Sequence, residues 1–594
     1  MSAPPRRRLG FLLLVALLFG GLNVFKPLTI DDAAYHYFAR QIAARPLDPY
    51  GFALLWYQEP DPANAVLAPP VVPYTWALGL RLFGDDPAAC KLLLLPWAFL
   101  LVLAVHSLLR RFAPGLEVPL TVLTVLSPAL WPSLNFMLDV PALALALAAV
   151  DLFLRACDDG SFFKAACAGL LAGVACETKY TACTAVAAMV LAGLLRRRWA
   201  LAVAAVLPAA HVFCAWEFIT AVLYGRSHFF LRLTGSESTD ARSLSDALEN
   251  LVLTKGPLVT CLLSLLGGVT PALLLLGLAA SGLRRRWVVF AAALFLGGLV
   301  TVALFDSHFG GSVVLSARLI GPRNAPPLNY ELADVIFAVF GGALLILAGV
   351  AARALLRPGG DRVETVLLLG WVALEVAAYF PLTPFPGVRR VLGPVVVLSL
   401  LMGRYAARDL GGVRARQTVW GVVAFGVCLG LALFMLDYLD ADVQRRGAEE
   451  AARWIRDKGG GRVWYTGHWG FQYYAERNGM QAVITRYRYN PDSGLPAPTT
   501  LEAGDWLVLP DPHIDQQELR LDDVREEKRL TFDDPVPLRT VVSFYGSPDP
   551  VQHLEEPRFQ VRIYRVRKTF LAQRPPSRPP EPAAEGLAKP SGVP

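Results

Sequence analysis

The chain has 594 residues, 54% of them hydrophobic, a formal net charge of +7 and eight cysteines. Its mean hydropathy of +0.43 excludes an ordinary soluble protein and requires many membrane spans. The positive charge is spread as short arginine runs between apolar segments, which excludes a nucleic-acid-binding surface.

The first apolar stretch, "FLLLVALLFGGLNVF", follows "PPRRRLG" and no small-residue cleavage site succeeds it, so it reads as a retained helix. Apolar stretches near 9–28, 90–109, 116–134, 140–156, 164–177, 180–195 and 199–222 are then expected to span. Further spans are expected near 256–280, 287–305, 334–356, 363–380, 390–407 and 418–437, about thirteen helices in all. The basic residues Arg6–Arg8, Arg110–Arg111, Arg196–Arg198, Arg284–Arg286 and Arg353 with Arg357 fall in every second connection. The positive-inside rule makes these cytoplasmic, with the N-terminus inside, provided that 164–177 and 180–195 count as two spans. The connections facing outward include a long first loop, 29–89, with a surface helix over 35–44. The cysteines lie in or beside apolar segments at no metal-ligand spacing and read as small core residues rather than a disulfide framework.

After Leu439 the composition turns polar. "VQRRGAEEAARWIRDKGG" and "WGFQYYAERNG" read as helices; "RVWYTG", "MQAVIT", "DWLVLP", "LRTVVSFYG" and "RFQVRIYRV" read as strands. The expected division is a transmembrane domain over 1–438, an extracytoplasmic α/β domain over 439–570 and a Pro-rich disordered tail over 571–594.

Several charged residues stand where a membrane protein least needs them. Asp31 and Asp32 follow the first span, and they fit a helix start with Thr29 as N-cap. Asp139 opens the fourth span before Val140-Pro141 and also fits a cap. Lys179, between two short spans, is a functional candidate by its apolar setting, with an ion pair to Glu177 as the plainer reading. Arg389 and Arg390 begin an outward helix end against the positive-inside trend, and Arg226, Arg232, Arg318 and Arg323 also face outward. Together the acids supply a general base and the cations an anchor for a lipid-borne anion. His36, one helical turn after Asp32, could share a face or a divalent metal with it; His308 follows Asp306 without a third ligand. No phosphate-binding Gly-rich loop, nucleophile elbow or dinucleotide fingerprint occurs in a usable context.

The order "DDAAY", "LAPPVVPYTWALGLRLFG", "LDVPALALALAAVDLFLRA" and "AGVACETKYTA" resembles the dolichyl-phosphate-mannose–protein mannosyltransferase superfamily, which includes lipid A aminoarabinose transferases. The resemblance covers about residues 9–200 and implies the GT-C fold, with a polyprenyl-phosphate sugar as donor and a lipid, glycan or protein acceptor at the outer face, in a bacterial inner membrane. By position it implies catalytic roles for Asp31, Asp32 (where relatives carry Glu) and Asp139, and donor-phosphate contacts for Lys179, Tyr180, Arg389 and Arg390. Tyr35 and His36 would face acceptor or sugar. Relatives often carry Lys or His before the double proline, where this chain has Ala68, so either another cation, Arg389 or Arg390, holds the phosphate or the donor differs. Chemistry of this kind expels a phosphate anion from C1 while a carboxylate deprotonates the attacking hydroxyl on the opposite face, with inversion. Two other readings compete: a transporter or lipid flippase, which would carry more mid-span charges than Glu217 and Glu375, and a membrane-anchored scaffold presenting the C-terminal domain.

Overall fold

The computed structural model describes residues 5–56, 60–234, 257–304, 308–309, 330–357, 362–382, 386–410, 412–485, 497–510, 517, 519–533, 536–540, 549–554 and 557–572. Arg318, Arg323, Asp306 and the tail after 572 lie outside the described residues. The helices run α1 (Pro5–Phe25), α2 (Asp32–Ala44), α3 (Ala63–Val66), α4 (Val71–Phe83), α5 (Pro87–Lys91), α6 (Leu95–Phe112), α7 (Glu117–Val125), α8 (Asp139–Asp159), α9 (Phe162–Cys176) and α10 (Cys183–Leu195). They continue as α11 (Trp199–Tyr224), α12 (His228–Thr234), α13 (Pro257–Val269), α14 (Pro271–Ala280), α15 (Arg285–Leu304), α16 (Leu332–Leu355), α17 (Arg362–Leu382), α18 (Leu392–Asp409), α19 (Gly412–Asp457) and α20 (Trp469–Arg477).

This is a polytopic, mainly α-helical membrane protein with a β-rich C-terminal region. Among the described residues seven helices are long and apolar enough to cross a membrane, or eight if the pair bent by 75° at Thr270-Pro271 is one span. The bend has an identifiable cause, because Pro271 cannot donate to the ladder and opens α14 instead. Three shorter apolar helices, Leu9–Phe25, Phe162–Cys176 and Tyr180–Leu195, fall at expected spans. The stretch expected to span at 116–134 is different. Only Glu117–Val125 is helical there, and Pro128 and Pro132 turn the rest into a buried irregular run. Thr121 and Thr124 in α7 bond back to the carbonyls of Glu117 and Leu120 at 2.6 and 2.8 Å.

Helix packing uses small residues where backbones must meet. A Cβ on Gly169 of α9 would lie 1.9 Å from the carbonyl oxygen of Ala205 in α11, so only glycine allows that crossing. Several arginines expected on the cytoplasmic side are paired rather than free. Arg111 and Arg196 both bind Asp158 and Glu364, which ties α6, α8 and α17 at one end. The cysteines are not uniformly core, since Cys214 and Cys428 are exposed.

By contacts the chain divides into two compact units. The first comprises residues 1–53, 62–445 and 532–558; the second, 54–61, 446–531 and 559–594. In the second, β1 (Val463–Tyr465), β2 (Gln481–Ala482), β3 (Trp506–Pro510), β4 (Val524–Phe532) and β5 (Phe559–Val566) form one sheet in the order β2-β1-β3-β5-β4. β1 runs parallel to β2 and β3, whereas β5 is antiparallel to β3, with Ile563 opposite Val508. Leu507, Leu509, Tyr564, Val566 and Val483 build its core. β4 lacks an apolar run, "VREEKRLTF", so period-2 reasoning overlooked it; Leu538–Arg539 is all the strand described within "LRTVVSFYG".

Candidate active site

The acidic pair at the start of α2 divides between two environments. Asp31 is the residue before the helix, and its carboxylate makes no cap. Instead its Oδ2 accepts a hydrogen bond from Arg389 Nη1 at 2.7 Å, across most of the first unit's sequence. Asp32 is fully buried and turns the other way: its Oδ2 accepts from the backbone N–H of Thr29 at 3.1 Å and lies 3.7 Å from Lys91 Nζ. The cap is thus reversed from the expected one, with Asp32 reaching back to Thr29. Ile30, between Thr29 and Asp31, takes a left-handed backbone (φ 49°) that turns the chain into α2, and the two acids then point apart because adjacent residues at a helix start project about 100° from one another. Burial raises the Asp32 carboxyl above its ordinary range, and the Lys91 charge opposes that rise.

Asp139 is not a cap either. Leu138 precedes α8, and the Asp139 carboxylate forms an ion pair with Lys179. The expected Lys179–Glu177 pair does not form: Lys179 crosses to Asp139, and both Glu177 oxygens are buried without a hydrogen-bond partner. The chain reverses between α9 and α10, where the Lys179 backbone is extended and its N–H bonds to the Ala175 carbonyl at 3.0 Å. Burial pulls the Lys179 ammonium down; Asp139 opposes this, Arg390 and Arg389 add to it, and the result is about 7.

Several of these groups line one cavity of about 70 Å³. Asp139, Lys179, Arg389, Arg390 and Glu375 supply its charged wall, and Trp371, Leu143 and Val397 part of its apolar one. Arg389 and Arg390 enter from a short 3₁₀ turn, Val388–Arg390, just before α18. Glu375 accepts from Trp371 Nε1 at 3.1 Å, one helical turn away. Asp31 joins this group through Arg389. The arrangement presents three cationic side chains, two of them already held by carboxylates that a more strongly charged oxyanion can displace.

The remaining expected residues fall outside it. The Tyr180 hydroxyl donates to Glu217 Oε1 at 2.8 Å and meets His228 Nδ1 at 2.6 Å, so Tyr180 faces a neighbouring aromatic cluster with Tyr50. Tyr35 packs edge-on against Trp76 at 6.0 Å. His36 is buried and pairs with Asp85 through Nε2 at 2.7 Å, while Asp32 faces Lys91; the shared metal position does not fit, because a cation already stands opposite Asp32. Among the described residues no group of three His, Cys, Asp or Glu side chains could hold a metal ion. The carbonyl of Ala68, the residue before the double proline, accepts from the Tyr50 hydroxyl at 3.0 Å.

A buried charge network went unread in the sequence. Lys91 donates to the carbonyl of Lys26 at 2.7 Å, and Lys26 pairs with Asp437 of α19 at 2.7 Å, both side chains fully buried. Thr540 bonds Asp440 through its backbone N–H at 2.7 Å, and Arg558 pairs with Asp440 as well. The signal existed: Lys26 and Lys91 are lysines against apolar stretches, the same feature that singled out Lys179.

Comparison with known proteins follows from this geometry. Residues 68–223 match the family described as dolichyl-phosphate-mannose-protein mannosyltransferase. Over those residues the match bears out the resemblance to the dolichyl-phosphate-mannose–protein mannosyltransferase superfamily. No curated protein matches the sequence. Among solved structures, the archaeal oligosaccharyltransferase AglB from Archaeoglobus fulgidus, in complex with an inhibitory peptide and a dolichol-phosphate, aligns at 12% identity and a TM-score of 0.44. The alignment covers 78% of this chain and 63% of that one, so this chain spans about three fifths of its length. ArnT from Cupriavidus metallidurans in the apo state aligns at 15% identity and a TM-score of 0.36, covering 86% of this chain and 93% of that one.

Proposed function

We propose that this chain, a GT-C-like glycosyltransferase by its family match over residues 68–223, moves a sugar from a polyprenyl-phosphate donor to an acceptor hydroxyl at the outer membrane face, with inversion. One observation carries the reading: Lys179, Arg389 and Arg390 converge with Asp139 on a single cavity, and Asp31 is bonded to Arg389 at its edge.

In this reading the donor phosphate enters among the three cations. Its charge displaces Asp31 from Arg389 and shares Lys179 with Asp139, and the same cations stabilise the phosphate as it leaves C1. Asp31, released from its guanidinium, accepts the proton of the attacking hydroxyl. Asp139 stays near Lys179 and keeps that ammonium oriented. Asp32 acts as a positioning residue through Thr29 and Lys91, not as a reacting group, because its carboxylate is engaged away from the cavity. Tyr180, Tyr35 and His36 support the walls of the site rather than contact phosphate.

The finer topology of this reading has about thirteen crossings, adding the three shorter apolar helices, α18 and the stretch 116–134, where α7 continues into the buried irregular run, to the long helices and the bent pair. Residues 1–438 carry the transferase machinery, residues 439–570 form an extracytoplasmic domain, and 571–594 a tail. A divalent cation is tested by chelation. Transfer that persists in EDTA supports the all-protein cation set, and loss that added metal restores would bring a metal into the site. The direct experiment supplies a labelled polyprenyl-phosphate sugar to membranes containing the protein and follows label into lipid, glycan and protein fractions.

A further inference from the structure

Cys176 is the last residue of α9 and Cys183 the first of α10, so the two thiols bracket the turn that carries Lys179 and Tyr180. Their Sγ atoms lie 3.0 Å apart, with Cys183 donating to Cys176. A disulfide requires about 2.05 Å, so roughly 1 Å of further approach forms the bond. Cys176 is buried and Cys183 is partly exposed, which gives a small reagent one sulfur to attack and the other to resolve.

The middle of the turn carries two side chains that face opposite clusters. Lys179 points into the charged cavity, and the adjacent Tyr180 points to Glu217 and His228. The turn itself is held by the Thr178 and Lys179 N–H groups on the Ala175 carbonyl at 3.1 and 3.0 Å, and by the Ala182 N–H on the Lys179 carbonyl at 2.9 Å. A covalent link between its two ends would limit the conformations open to these residues once the disulfide has formed.

We propose that Cys176 and Cys183 form a redox clip, closed by thiol–disulfide exchange with an organic disulfide. One thiolate attacks the reagent disulfide and expels a thiolate; the second thiol, deprotonated, attacks the mixed disulfide and expels the other. The protein forms one S–S bond and loses two protons and two electrons; the reagent gains both and becomes two thiols. Closure fixes the turn and holds Lys179 in the cavity.

The test treats the full-length protein in detergent with oxidised glutathione, quenches with acid, alkylates free thiols and maps the peptides by mass spectrometry. The expected result is loss of both alkylation sites and one linked peptide pair, Cys176 with Cys183, reversed by dithiothreitol. Oxidised protein should also unfold at a higher temperature than reduced protein, a shift absent in Cys176→Ser and in Cys183→Ser. Retention of both alkylatable thiols at all oxidant concentrations, or pairing with a different cysteine, overturns the proposal. Because the linkage is read directly, it stands or falls independently of sugar transfer; Cys183→Ala serves as a second variant should either serine variant fail to fold.

Discussion

Three side chains carry most of the proposed chemistry. Asp31→Asn removes the acceptor of the hydroxyl proton while keeping a hydrogen-bond acceptor for Arg389, so turnover should fall about 10²–10⁴-fold with the fold intact. Turnover and circular dichroism measured on the same preparation check both halves. Arg389→Ala is harsher. It leaves Asp31 with no counter-charge in a mostly buried setting, and breaking such a pair costs about 3–5 kcal/mol. Donor KM should rise with kcat affected as well, and Arg389→Lys should recover only part, since a point charge lacks the planar fork that grips phosphate. Lys179 makes a pH prediction. Its ammonium sits near 7, so the cation is present below that pH and lost above it. Donor KM should therefore rise as pH increases through about 7, and Lys179→Arg should flatten the rise because a guanidinium stays charged. An unchanged pH profile in the arginine variant would assign the dependence to another group.

At the scale of elements, α2, the α9–α10 turn and the 3₁₀ turn before α18 bring the site together, and each depends on helix packing elsewhere. Gly169→Val should force α9 from α11, at about 1–3 kcal/mol of overpacking, and displace the turn that carries Lys179. Thermal denaturation in detergent reads the loss, and a Tm equal to that of the parent would mean that the crossing tolerates a larger residue. Much of this was legible. Helix positions followed from apolar length, and Asp139, Lys179 and Arg389 stood out because charge in apolar sequence needs a reason. Which charges pair was not legible, since Asp31 with Arg389 and Asp139 with Lys179 are long-range partners that local spacing cannot express. Local reasoning chose the nearest candidate each time, Thr29 as cap and Glu177 as partner, and tertiary packing overrode both. The continuous helix expected over 116–134 failed for another reason. Hydropathy measures burial, and Pro128 and Pro132 allow a buried run that is not a helix.

For the whole molecule, the buried lysines link the site-bearing start of α2 to α19 inside the first unit. Asp32, Lys91, Lys26 and Asp437 form successive contacts, and Asp440 extends the charge to Thr540 and Arg558. Lys26→Met leaves Asp437 buried and unpaired and should destabilise by about 3–5 kcal/mol, whereas Lys26→Met combined with Asp437→Leu should recover most of the loss. A double variant no more stable than the single one would show that the network is held by more than that pair. The membrane character of the chain and the convergence of its charged groups then support the proposed role, handling a lipid-borne anion where a hydroxyl can reach it.

The central claim is tested most directly by transfer of label from a polyprenyl-phosphate sugar, with membranes containing the parent protein compared with Asp31→Asn and Arg389→Lys. The account predicts label in an acceptor fraction for the parent, a loss of about 10²-fold or more for Asp31→Asn, and intermediate transfer for Arg389→Lys. Transfer by Asp31→Asn at the parent rate would contradict it, and so would donor lipid that is bound or moved across the membrane with no label reaching any acceptor.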